Sequence, residues 1–386
     1  MVKLGDSAKI HWPLEKDMIF LNHGSYGAAP FSVLSEQANI RARLEQQPCR
    51  FINIEAPKEI RSSASKLASY INAKSSNVVF VENTTSGINA VMKSIKLGAG
   101  DEIIITDHIY NAVRKTLEFV TQTVGARLVE IPIGLPIKSG EEITNKIAES
   151  ITSKTKLLVV DHIASVSAII FPIREILIKA RKLGVLTLVD GAHAPGMLEL
   201  NLEKLDFDWY IANCHKWLCS PKGAAFLVTR PAYQTTTHPT TISHDLGKGY
   251  TCEFDKIGTR DSSAWLTVPK AIEFCESLGG QKMRERNHRV AIKAAQKLCS
   301  RWGTELGAPK ELFGSMITIR IPGELHASRE TADKIKSFLW SNHRTEVHIM
   351  PFSNALWLRL SVHAYNTLDE CLRVGPLIEK VIKKLG

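Results

Sequence analysis

No run of eighteen apolar residues occurs in the 386-residue chain, which argues against a membrane-spanning helix. Both common nucleotide fingerprints are missing: there is no GxxxxGK[ST] and no GxGxxG, so a P-loop ATPase or a nicotinamide dehydrogenase is not expected. The seven cysteines (Cys49, Cys214, Cys219, Cys252, Cys275, Cys299, Cys371) are odd in number and widely spaced, with no CxxC pair. That pattern excludes a disulfide framework and a zinc ribbon, and fits free thiols in a reducing compartment with no metal. The opening MVKLGDSAKIHW has no apolar core and no Arg/Ser-rich amphipathic stretch, so no targeting segment and a cytoplasmic location are expected. Acidic residues are in deficit, 39 against 49 Lys+Arg, giving a net charge of +10. The basic residues are scattered and no RNP, KH or zinc-finger pattern accompanies them. They read as a solvated surface, with neither nucleic acid nor membrane as partner.

What is present is an ordinary globular composition, 44% hydrophobic and 23% charged, long enough for one large domain and one small. Val78–Val81, Glu102–Thr106, Leu157–Val160 and Val185–Val189 are continuous apolar runs of buried-strand length, and helical patterns such as 84–96 and 173–183 lie between them. This alternation predicts an α/β fold with a largely parallel sheet covered on both faces. After Trp265 the texture changes: 268–302 reads as one continuous helix, followed by shorter strands and helices. The expected division is a large α/β domain over 20–265 and a smaller α+β domain formed by 1–19 and 266–386.

Ligands of such sheets bind beyond the carboxyl ends of the strands. The segments there are Glu82-Asn83-Thr84-Thr85-Ser86-Gly87, Asp107-His108-Ile109-Tyr110-Asn111, Asp161-His162 and Asp190-Gly191-Ala192-His193. Core packing does not require Thr, His, Asp and His at strand ends taken as neighbours. Asp190 closes an apolar strand and there needs a cationic or hydrogen-bonding partner, although a helix N-cap is the alternative use of such a residue. Lys216 lies 26 residues further on, between His215 and Trp217 and after the strand-like Trp209-Tyr210-Ile211-Ala212. Partial burial there lowers the pKa of an amine and makes it nucleophilic.

Asp190-x-x-His193 followed by Asn213-x-His215-Lys216-Trp217 resembles the pyridoxal-phosphate signature of fold-type I enzymes, and more narrowly the class V aminotransferase superfamily. Leu21-Asn22-His23-Gly24-Ser25-Tyr26-Gly27, Asp161-His162-Ile163, Gly258-Thr259-Arg260-Asp261 and Arg359-Leu360-Ser361-x-x-x-Tyr365-Asn366 are similar to its isopenicillin N epimerase-like branch, which includes cysteine C–S lyases. The resemblance implies a large domain with a mostly parallel seven-stranded sheet. It implies pyridoxal 5'-phosphate as cofactor, held by Lys216 as a Schiff base, with Asp190 at the pyridine nitrogen and His193 at the phenolic oxygen. Thr84, Thr85, Asn213 and His215 would receive the phosphate; Asn213 departs from the serine of the family. His108 would stack on the ring, with Tyr110 its competitor, and Thr259 would reach the phosphate of a partner subunit in a homodimer. Arg359 would bind the carboxylate of an amino-acid substrate, with His23, Tyr26, Arg50, Tyr110 and His162 as further candidates for the substrate pocket.

The cofactor acidifies the Cα proton and the protein directs the electrons. A persulfide-forming desulfurase places a cysteine shortly before the carboxylate-binding arginine, and 347–358 (VHIMPFSNALWL) contains none, so that activity is not expected. Epimerisation needs a second acid/base opposite Lys216; β-elimination needs only the lysine and a leaving group. By that economy the expected reaction is a C–S β-lysis of a cysteine-like amino acid, with epimerisation the alternative and transamination third.

Overall fold

A computed structural model describes residues 3–385. Its strands are β1 (Ile19–Phe20), β2 (Val78–Val81), β3 (Glu102–Thr106), β4 (Arg127–Ile131), β5 (Thr155–Asp161), β6 (Leu186–Asp190), β7 (Trp209–Asn213), β8 (Ala225–Thr229), β9 (Met316–Arg320), β10 (Thr345–Glu346), β11 (His348–Phe352) and β12 (Ala355–Ser361). Seven of them form one sheet in the order β2-β8-β7-β6-β5-β3-β4. Only β8 runs antiparallel to its neighbours; β4, β3, β5, β6 and β7 are parallel. Burial on both faces explains why these strands read as unbroken apolar runs and not as alternating ones. The edge strand β4 is half exposed, and its mixed Arg127-Leu128-Val129-Glu130-Ile131 gave no such signal.

Two expectations need correction. The strand ends taken as neighbours are not all adjacent: β2 sits at one edge, with β8 and β7 between it and β6. Because β8 is antiparallel to both β2 and β7, β2 still points the same way as the others, and Glu82–Ser86 emerge on the shared edge. The expected single helix over 268–302 is two, Val268–Ser277 and Gln281–Trp302. Gly279 (φ +107°) and Gly280 (φ +50°) break it, since both adopt backbone that L side chains avoid.

Beyond the sheet, β11, β12 and β9 form a three-stranded antiparallel sheet, and β1 pairs in parallel with β10. The N-terminal turn Asp6–His11 joins this region through Gly5 N–H, which donates to Ala364 O at 2.7 Å, and through the Lys9–Glu370 ion pair. The β11–β12 hairpin turns on Ser353 (φ +46°) and Asn354 (φ +57°), as a tight two-residue turn of matching twist requires. Its second strand holds Arg359 between His348 and Thr318. Among the described residues no helix is long and apolar enough to cross a membrane.

Candidate active site

The carboxyl ends of β2, β5, β6 and β7, with Tyr110 after β3, enclose a cavity of about 510 Å³. Lys216 stands in it, buried, after the sharp turn that follows β7. Gly27 (φ +67°) makes that turn possible from the other side: a Cβ there would lie 2.0 Å from His215 O and 2.7 Å from Lys216 O.

Burial removes water from the Lys216 ammonium and pulls its pKa down to about 8; Arg359 adds to the fall, while Asp190 and Asp161 oppose it. Its Nζ lies 3.1 Å from His193 Nε2. The other ring nitrogen, His193 Nδ1, accepts from Trp217 Nε1 at 3.3 Å. Indole N–H can only donate, so Nδ1 carries the lone pair and the neutral ring carries its proton on Nε2. Burial together with Lys216 keeps His193 neutral, well below the usual imidazole range. The Nε2–H therefore points at Lys216, whose nitrogen accepts it in the neutral-amine form. Asp190 is buried at the end of β6; its Oδ1 accepts the Ala192 N–H at 2.9 Å. Burial raises its pKa, and this hydrogen bond and Lys216 pull it back.

The opposite end of the cavity suits an anion. The helix Thr84–Ser94 opens on it, capped by Asn83 Oδ1, which accepts from Ser86 N–H at 2.9 Å. Thr84, Thr85, Asn213 and His215 all line it. Thr84 N–H donates to Asn213 Oδ1 (3.0 Å), whereas Thr84 Oγ1 is buried without a partner. His215 bonds Ala224 O through Nδ1 (3.2 Å), and burial lowers its pKa to about 4. Helix N-termini of this kind favour negative charge.

Arg359 is 1% exposed, and every partner it has is neutral. Nη1 donates to Ser165 O (2.5 Å) and Ser165 Oγ (3.4 Å), and Nη2 to Asn22 Oδ1 (3.1 Å) and Ser25 Oγ (3.1 Å); Nε has no partner. Burial lowers its pKa to about 10. Two of these partners, Ser25 and Ser165, line the cavity, while Arg359 itself is not on its wall.

Several candidates lie elsewhere. His108 is buried outside the cavity, with Nδ1 2.7 Å from Ser167 Oγ, Nε2 3.3 Å from Gly134 O, and its ring packed edge-on against Phe171 and Phe352. The expectation that it covers the cofactor ring is corrected: Tyr110, two residues on, lines the cavity with its ring centroid 6.0 Å from Lys216 Nζ. The backbone turn after β3 aims His108 at the β11–β12 hairpin and Tyr110 at the site. His162 is expected in the substrate pocket but points away, with Nδ1 2.8 Å from Tyr210 OH. His23 lies beneath the lysine, not before it: Nε2 bonds Lys216 O (3.0 Å), Nδ1 bonds Tyr365 OH (2.8 Å), and burial lowers its pKa to about 3. It stacks on His363 beside Cys219, as part of the packing that supports the lysine turn. Arg50 is on the surface, paired with Glu55, and Thr259 is exposed outside the cavity; Tyr26 lines it and is 73% exposed.

Sequence reasoning assigned no role to Ser25, Ser165 or Lys222, all of which line the cavity, nor to Asp161, which it placed at a strand end and left there. The spacing of Ser165 from Asp161 along one loop was a usable signal; nothing local marks Ser25 or Lys222.

These residues fit pyridoxal phosphate. The cavity offers an amine poised near neutrality, a carboxylate for a pyridine nitrogen, an imidazole N–H for a phenolic oxygen and a helix N-terminus for a phosphate. Two buried polar atoms on its wall, Thr84 Oγ1 and Asp161 Oδ2, are left without partners by the protein alone.

Comparison with known proteins agrees. Residues 49–374 match the family model for class-V aminotransferases. A probable L-cysteine desulfhydrase, chloroplastic, from Arabidopsis thaliana is 29% identical over 96% of this chain and 84% of its own length. An isopenicillin N epimerase from Amycolatopsis lactamdurans is 31% identical over 94% of this chain and 95% of its own. The solved apo structure of a cysteine desulfurase from Thermococcus onnurineus superposes with a TM-score of 0.81 at 20% identity, covering both chains completely, a likeness of fold.

Proposed function

The chain belongs to the class-V aminotransferase family, and we propose that it is a pyridoxal-phosphate-dependent C–S β-lyase acting on a cysteine-like amino acid. The observation that carries this reading is the buried Lys216 amine, its pKa drawn down to about 8, next to His193 Nε2 and beside the buried guanidinium of Arg359, whose partners are all neutral. β-Elimination asks for no more: one base at Cα and one anchor for the α-carboxylate. Relatives named L-cysteine desulfhydrase, aligned over nearly the whole chain, support the same reaction class.

Arg359 orients the substrate by its carboxylate, in a charged hydrogen bond made strong by burial. When bound, pyridoxal phosphate accepts the electron pair freed at Cα. Asp190 would keep a proton on the pyridine nitrogen, His193 would donate to the phenolic oxygen, and Thr84, Thr85, Asn213 and His215 would hold the phosphate. Tyr110, whose ring lies 6.0 Å from Lys216 Nζ, would cover the cofactor ring. Lys216 Nζ takes the Cα proton, the Cβ–S bond breaks with its electron pair leaving on sulfur, and that sulfur picks up a proton. Water hydrolyses the released enamine to pyruvate and ammonia.

A second reading, epimerisation, is favoured by one feature: Tyr110 places a hydroxyl-bearing ring across the cavity from Lys216. Exposed Thr259 supports a homodimer in which it reaches the partner's phosphate site, with 20–265 as the cofactor domain of each subunit. A reducing, cytoplasmic setting accords with seven free thiols.

The test is incubation of the purified protein with L-cysteine, L-cystine and other L-amino acids in D₂O, followed by proton NMR. Pyruvate appearing with sulfide or persulfide establishes the lyase. Intact amino acid carrying deuterium at Cα with loss of optical purity overturns it in favour of the epimerase.

A further inference from the structure

Asp161 and Asp190 end the neighbouring parallel strands β5 and β6 and are paired in register. Adjacent strands lie about 4.8 Å apart and in-register side chains share a face, so the two carboxyl groups stand side by side. Both are buried at 2% exposure and both line the cavity. Two carboxylates this close in a dry site do not both ionise. Their hydrogen bonds decide between them. Asp190 receives the Ala192 N–H, which supports its charge; Asp161 has only its own backbone N–H, and its Oδ2 receives nothing.

We propose that Asp161 is a neutral carboxylic acid paired with the Asp190 carboxylate, so that the two groups carry one negative charge and Asp161 acts as a positioning residue for Asp190. This rests on the cofactor reading given above for the same cavity. Burial and the Asp190 charge both push the Asp161 carboxyl well above the usual range; its own backbone N–H and Lys216 oppose them. The other titratable groups on the cavity wall are His193, beside Lys216, Tyr110 across from it, exposed Tyr26, and Glu82, His215 and Lys222. His162, next in the chain, turns away to Tyr210. A proton on Asp161 supplies a donor toward Asp190 and holds its carboxylate in one orientation. It also leaves Lys216 facing one anion and not two, which favours the lowered pKa of the amine.

The test uses the holoenzyme and Asp161→Asn, which preserves shape and matches the charge of a neutral acid. Infrared spectra of the wild type at neutral pH should contain the C=O stretch of a protonated carboxyl group, and Asp161→Asn should lose it. The pH titration of the bound cofactor's visible absorption should be unmoved in Asp161→Asn, because no charge has been removed. An ionised Asp161 predicts no such infrared band and a titration displaced to lower pH by about one unit or more, the effect of deleting a neighbouring charge. Either result overturns the proposal. The wild-type infrared band decides even if the variant fails to fold. Lys216→Ala separately tests the cofactor reading: if that variant keeps a covalently held cofactor, the reading of the cavity fails whatever Asp161 does.

Discussion

Trp217 Nε1 lies 3.3 Å from His193 Nδ1, on the side of the imidazole away from Lys216 Nζ. A residue adjacent to the lysine in sequence thus sets the tautomer of a histidine 24 positions earlier and, through it, the direction of the proton facing the lysine. The indole is buried, so the bond is not shared with water. Trp217→Phe keeps most of the packing and removes the N–H. The His193 proton should then distribute over both ring nitrogens, visible as a changed ¹⁵N shift pattern, and turnover should fall about tenfold, the equivalent of one lost hydrogen bond.

Lys216→Ala should release the cofactor from covalent attachment, read as loss of the visible absorption that persists after gel filtration. Turnover should fall by at least about 10²–10⁴-fold, the usual contribution of a positioned proton-transfer group.

The pH dependence of that lysine has a definite sign. Its pKa is about 8 in the folded protein against an ordinary 10.5, so the unfolded chain binds the extra proton between those values. Stability of the cofactor-free protein should therefore rise with pH across that window, and the cost of burying the amine, about 3 kcal/mol, is fully present below pH 8. Unfolding free energies of wild type and Lys216→Met should converge as the pH rises from 8 to 10.5. Parallel curves would place the amine in water.

Arg359→Ala should raise KM for α-carboxylate substrates by about 10²-fold or more, since the loss of one partner of a buried charged pair is worth roughly 2–5 kcal/mol. Its cofactor absorption should persist, because no cofactor contact is removed. Arg359→Lys should recover only part of the loss, as an ammonium cannot reproduce the guanidinium fork.

Tyr110 separates the two reactions. Tyr110→Phe keeps the aromatic cover and removes the hydroxyl, so a β-lyase should retain its kcat within about threefold while Tyr110→Ala loses affinity for the cofactor, stacking being worth about 0.5–1.5 kcal/mol. Loss of kcat in Tyr110→Phe alone would mark the hydroxyl as an acid/base group, as epimerisation demands.

Much of this site was legible before any coordinates. Asp190, His193, Asn213, His215 and Lys216 sit on two short stretches joined to buried apolar strands, and a strand end is a place local sequence can identify. The apolar runs likewise marked β2, β3, β5 and β6, because strands buried on both faces are apolar on both. What local sequence could not decide was direction and company. His108 and Tyr110 are two residues apart, and only the turn after β3 and the hairpin packed on it send one into the core and the other into the cavity. His23 and His162 carry the chemistry of a binding site, yet tertiary packing satisfies both with buried tyrosine hydroxyls. Asp161 is the converse: an ordinary strand-end acid until the sheet lays it beside Asp190. Residue chemistry along a strand is written in the chain; the distance between residues on different strands exists only once the sheet has set their register.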